Sequence, residues 1–154
     1  MSRLRPRLEV ALQVGQSAVA DAIRRARRER FVCASELTPV HGYHHKWWAS
    51  REQGTVRVTP ACLEVVIPTL ERFDHYLWMS ETVLGRAYLD GTFGRVVDAM
   101  RVELRVVEDD VFGWLGVHAS ALRRWRHGSQ PVPHTARRVI QHVYAGDPRH
   151  DKWT

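Results

Sequence analysis

Residues 115–133 read LGVHASALRRWRHGSQPVP, and the way this stretch divides decides the fold. Gly116 follows the apolar Leu115 and suits the φ > 0 backbone of a sharp turn between helices. From about His118 to His127 the residues sort onto two faces of a helix. Ala121, Leu122 and Trp125 fall on one side, and Ser120, Arg123, Arg124 and His127, at i, i+3, i+4 and i+7, fall on the other. Gly128 and Pro131 end the segment. The spacing of Trp125 predicts a core side chain rather than a platform for base stacking.

The flanks extend the pattern. Upstream, EDDVFGWL (108–115) offers acids at a helix start, where they favour the positive end of the dipole, followed by Val111 and Leu115 at i, i+4. Before it, Thr92 can cap an amphipathic helix carrying Phe93, Val96, Val97, Met100 and Leu104. Downstream, a helix from about His134 to Ala145 is expected to bury Ala136, Val139, Ile140, Val143 and Tyr144 at helical spacing and to stop at Gly146.

A short helix, a glycine turn and a second helix with an apolar back and a basic front make a helix-turn-helix unit. Here the sequence resembles the phage-repressor (Cro/XRE-type) family of helix-turn-helix DNA-binding domains, over about residues 92–146. The resemblance rests on DDVFGWLGVHASALRRWRHGSQPVP, with Val111, Leu115, Gly116, Val117, Leu122 and Trp125 at the family's apolar and turn positions. One position departs: the family commonly has a small residue just after Val111, and this chain has Phe112 and then Gly113. That implies either a wider helix crossing or a one-residue shift.

The resemblance implies base-reading positions at His118, Ala119, Ser120, Arg123 and Arg124, with His127 near the phosphates and Arg137 and Arg138 as backbone contacts. The chemistry fits those residue types. Arg can pair with guanine O6 and N7 through two parallel hydrogen bonds, Ser120 and free helix N–H groups can hold phosphate, and Ala119 can touch a thymine methyl.

The N-terminal part is harder to read. LEVALQVGQSAVADAIRRARRERF (8–31) predicts helix, with Leu8, Leu12, Val19, Ala22, Ile23 and Ala26 at helical spacing and a break at Gly15. Its basic end, IRRARRER, reads first as a solvated face near a helix C-terminus. FVCAS (31–35) and TVRVT (55–59) are short β-like runs. Thr38-Pro39 and Thr59-Pro60 both look like helix starts, and Pro68 should kink or split the helix that follows. Leu70, Phe73, Leu77 and Met79 are its expected buried residues, and Asp90-Gly91 makes a turn.

Charge is distributed unevenly. Of 23 basic residues only Lys46 and Lys152 are lysine, a pattern of GC-rich coding. Residues 1–30 carry +5, residues 31–110 carry −4 and residues 111–154 carry +5, within a net charge of +6. A basic–acidic–basic layout suits localised polyanion contacts, or two ends that pair against the middle.

Other chemistry is thinly supported. HGYHHKWW (41–48) holds His41, His44 and His45, with Cys33 upstream and His41 and His45 at i, i+4. It lacks a second cysteine pair or an HExxH motif, so it reads as ordinary surface or half-buried histidines and no metal is expected. Tyr43, Trp47 and Trp48 read as core or subunit interface. The chain has neither a phosphate-binding glycine loop nor a Gly-x-Ser-x-Gly elbow. Two cysteines are too few for a disulfide framework, and the start MSRLRPRLEV has no signal-peptide core, which points to the cytoplasm and away from the membrane.

These readings give a mainly α chain with at most a small β element. A helical N-terminal region over 1–90 supplies dimerisation or a protein partner, a helix-turn-helix domain occupies 91–146, and a tail follows at 147–154. The expected function is a sequence-specific DNA-binding regulator, a repressor of phage or mobile-element type, acting as a homodimer on double-stranded DNA, without cofactor or catalysis. The alternative is a protein-interaction or architectural DNA-binding protein, with a small nuclease or recombinase accessory as a minor one.

Overall fold

Helix boundaries in this chain follow its capping residues and glycines. A computed structural model describes residues 3–145; Gly146, the expected stop of the last helix, and the tail at 147–154 lie outside the described residues. All regular structure among the described residues is helical, and there is no strand. The chain divides into two compact units, Met1–Leu77 and Trp78–Thr154.

In the first unit, α1 (Leu4–Val14) and α2 (Gln16–Glu29) are separated at Gly15, as expected, and pack side by side. α3 (Ala34–His41), α4 (Lys46–Glu52) and α5 (Pro60–Glu71) complete the unit around Leu8, Ile23, Leu37, Trp48, Ile67 and Leu70. Thr59 caps α5 by accepting from the Cys62 N–H at 3.1 Å, with Pro60 at the first helical position.

Two expectations about proline are corrected here. The helix near Pro39 starts earlier, at Ala34, because the Glu36 carboxylate accepts from the Cys33 N–H at 2.9 Å and closes its first turn. Pro39 then lies in the last turn. Pro68 leaves α5 unbroken, with buried Ile67, Thr69 and Leu70 fixing the chain on both sides of it.

The β-like runs form no strand. Val58 finds its pairing on a side chain instead: the Gln16 amide donates to the Val58 carbonyl at 2.8 Å and accepts from its N–H at 2.7 Å. One glutamine thus gives Val58 the two bonds that a neighbouring strand would have supplied. Phe31 and Val32 are buried in the turn after α2 rather than in a strand.

The second unit begins before residue 91. The unit boundary falls inside a 3-10 helix at Asp74–Glu81. α6 (Val83–Asp90) follows, capped by Thr82, whose Oγ1 accepts from the Gly85 N–H at 2.9 Å. Because α6 packs against α7 (Phe93–Glu103) and α10 (Pro133–Val143), it belongs with the C-terminal unit. Between these lie a 3-10 turn at Glu108–Asp110, α8 (Val111–Leu115) and α9 (Ala119–Arg126). Leu84, Phe93, Met100, Leu115, Leu122 and Ile140 are buried in this unit.

Candidate nucleic-acid interface

Gly116 ends α8 with φ 71°, the left-handed conformation that a glycine adopts without a Cβ penalty, and its N–H donates to the Phe112 carbonyl at 2.7 Å. Val117 is buried, and His118 enters α9 in extended conformation. Helix, turn and helix therefore stand in the order the sequence reading required.

The back of α9 is anchored by Ala121, Leu122 and Trp125. Trp125 is 6% exposed, and its ring meets Phe93 edge-on with centroids 5.3 Å apart. The closest approach to α9 comes from α7. A Cβ on Gly94 would stand 2.5 Å from the Trp125 carbonyl oxygen, so the two backbones touch where only glycine fits.

Phe112 does not wedge α8 away from α9. It is 61% exposed, its ring 5.6 Å from that of His118 at the start of α9. The bulky side chain turns outward, so neither the wider crossing nor the register shift is required to house it.

On the front of α9, His118, Ser120, Arg123, Arg124 and His127 are exposed and Ala119 is half-buried. Ser120, Arg124 and His127 form one stripe at i, i+4 and i+7. Arg124 makes no ion pair among the described residues. Arg123 is held: its Nη1 lies 3.0 Å from Oε1 of Glu108. Arg126 is held as well, with Nη2 donating to Glu108 Oε2 at 2.9 Å and Nη1 3.6 Å from Asp98 Oδ1.

Glu108 is the residue that sequence reasoning missed. Its place at a helix start suggests an acid serving the dipole, yet its side chain crosses to Arg123 and Arg126 of α9. An acid at 108 and arginines at 123 and 126 are visible in the sequence, but nothing in their spacing identifies which acid is in reach.

Arg137 and Arg138 lie on α10, the first half-buried and the second exposed. The connection from α9 to α10 is braced by Gln130, whose side chain donates to the Gly91 carbonyl at 2.7 Å. Val132 and Pro133 start α10, and Ala136, Val139, Ile140 and Val143 are buried as their spacing required.

The basic run closing α2 is divided: Arg24 and Arg25 lie on the expected exposed face, while Arg27 and Arg30 build structure. The Arg27 guanidinium forks onto Glu52 at 2.7 and 2.9 Å, and the Trp48 indole also donates to Glu52. Arg30, only 3% exposed, donates to Asp74 at 3.0 Å and to the Ala26 carbonyl at 2.9 Å. Arg24 pairs with Asp21 and Arg25 with Glu29. Earlier in the chain, Arg5 meets Glu64 at 2.7 Å, which lowers the Glu64 pKa through hydrogen bonding first and charge second.

His41 and His45 do not share a helical face: His41 ends α3 and His45 precedes α4. Cys33 sits at the opposite end of α3, about 12 Å away along eight residues of helix. The His41 ring packs among Tyr43, Trp47 and Trp48, while Arg51 lies 3.9 Å over Trp47. Cys62 is buried, and burial pushes its thiol pKa up, away from nucleophile chemistry. No protein-family model matches this sequence, and comparison with curated proteins and with solved structures finds no match.

Proposed function

We propose that the chain is a sequence-specific double-stranded DNA-binding protein, a transcriptional repressor of phage or mobile-element type that acts as a homodimer. One observation carries this reading. The exposed stripe of Ser120, Arg124 and His127 runs along a helix whose opposite side is fixed in the core and whose start follows a glycine turn. A rigid helix that presents a hydrogen-bonding arginine outward has the form that enters a major groove.

In this reading α9 lies in the groove, with His118, Ala119, Ser120 and Arg124 toward base edges. His127, Arg137 and Arg138 approach phosphates. Arg123 shares the front of the helix and is drawn toward Glu108. The homodimer follows from the short reach of one helix-turn-helix, which contacts only a few base pairs and gains length by two-fold repetition. The first unit then supplies dimerisation rather than a DNA surface, a reading favoured by the pairing of Arg5, Arg7, Arg27 and Arg30 with Glu64, Glu29, Glu52 and Asp74. No helix among the described residues is long and apolar enough to cross a membrane.

Selection of a random duplex library on the full chain, followed by anisotropy titration, tests the reading. The enriched duplex should bind about 10³-fold or more tighter than a scrambled one. Arg124→Ala should weaken the enriched duplex by about 10- to 100-fold, the value of one bidentate base contact, and relax preference at one position. Arg123→Ala should leave most of that preference intact. Equal affinity for enriched and scrambled DNA would favour an architectural protein, and no binding at low salt would sink both DNA readings.

A further inference from the structure

A carboxylate beside a DNA-reading helix is an electrostatic liability unless it performs a task there. Glu108 touches two of the three arginines of α9, with 3.0 Å to Arg123 and 2.9 Å to Arg126. Asp98, which also takes Arg101 at 3.0 Å, reaches Arg126 from α7 at 3.6 Å. The Glu108 side chain is 28% exposed and that of Arg123 is 56% exposed. The Arg123 end of the clasp is wet and that pair contributes little to folding stability, while the Arg126–Glu108 pair is drier, its side chains 30% and 28% exposed. Arg124, one residue and about 100° further round the helix, is left outside the clasp.

We infer that Glu108 is a positioning residue that limits the sequence-independent DNA affinity of α9 by holding Arg123 and Arg126 away from phosphate. The inference rests on the DNA-binding reading above. Each arginine offered to the phosphate backbone strengthens binding to every sequence and steepens the salt dependence by about 0.9 in log–log slope. An arginine whose charge is met by a carboxylate offers less. Because a genome presents a large excess of arbitrary sites, suppressing that affinity leaves more protein free for its own site. Arg124, unclasped, keeps its guanidinium for a base edge.

The test titrates wild-type, Glu108→Gln and Asp109→Asn full chains on one scrambled duplex and on the duplex enriched by wild-type, across a salt series. Asp109 carries the same charge one residue away and pairs with neither arginine, so it controls for net charge. Glu108→Gln should bind the scrambled duplex about three- to tenfold tighter at low salt, with a slope steeper by about one. Asp109→Asn should change that affinity less than about twofold, and adding Arg123→Gln to Glu108→Gln should reverse most of the gain. Arg123→Gln alone should leave the salt slope of the otherwise native chain unchanged. If wild-type binds DNA and Glu108→Gln alters neither affinity nor slope, or Asp109→Asn matches it, the clasp is overturned and the DNA reading stands. If wild-type binds neither duplex, both fall. Unchanged circular dichroism and melting of each variant assign the differences to charge.

Discussion

At the scale of single residues, His41 combines a hydrogen bond and a burial that both select its neutral form. Its Nδ1 accepts from the Tyr43 N–H at 3.0 Å, which requires that nitrogen to be unprotonated. Nε2 is buried without a hydrogen-bond partner among the described residues. Burial first, and the nearby Arg51 charge second, hold its pKa below the usual histidine range. The unfolded chain, with an ordinary value of about 6.5, therefore takes up the proton before the folded chain does. That favours unfolding as pH falls from about 7 through 6.5 toward the lowered folded value, and adds nothing further below it. Urea midpoints across pH 5–8 should decline on the acid side for the native chain, and His41→Gln should flatten that part of the decline. An identical pH profile for the variant would mean that His41 is not the group responsible. The surroundings of this ring are not legible in the sequence, because His41 ends one helix and meets Trp47 and Trp48 of the next only through the turn between them.

At the scale of elements, turn chemistry was the legible part and mutual approach the illegible part. The helix pair around Gly116 could be read from one glycine, one apolar stripe and one polar stripe, since each is a local property of the chain. The β-like runs misled because a strand is defined by its partner, and Val58 is partnered by the Gln16 amide from 42 residues away. Close crossing was sought at Phe112 and occurs at Gly94, where a glycine in the first turn of α7 meets the backbone of α9. A lone helical glycine does not announce which element it admits. The contact makes a prediction: Gly94→Ala puts a methyl group 2.5 Å from a backbone carbonyl oxygen, which no side-chain rotation can relieve. Overpacking of this kind costs about 1–3 kcal/mol. Chemical denaturation followed by Trp fluorescence should show a loss in that range, with weaker DNA binding because α9 is displaced. A variant as stable as the native chain would show that α7 and α9 can separate at no cost.

At the scale of the whole molecule, the basic–acidic–basic layout has two origins: charge paired inside the first unit and charge carried on the exposed face of α9. Much of the first basic segment is neutralised within its own unit by Glu64, Glu29, Glu52 and Asp74. Among the arginines of α9, Arg124 alone makes no ion pair with the described residues. Composition could not separate these cases, because an arginine counts as +1 whether it is buried on Glu52 or presented to solvent. On the proposed DNA-binding reading, a first unit that pairs much of its charge internally leaves the contact to α9, and one such helix has a short footprint. Two-fold repetition is then the economical way to lengthen the site, and it imposes a spacing. The full chain should sediment as a dimer and bind two copies per duplex to an inverted repeat of its selected half-site with centres about one helical turn, ~34 Å, apart. Inserting five base pairs between the half-sites rotates one of them to the opposite side of the duplex. Affinity should then fall toward that for a single half-site, with a salt slope reduced to match the lost phosphate contacts. A monomer in solution that binds both spacings equally would remove the homodimer and leave a module that reads one half-site at a time.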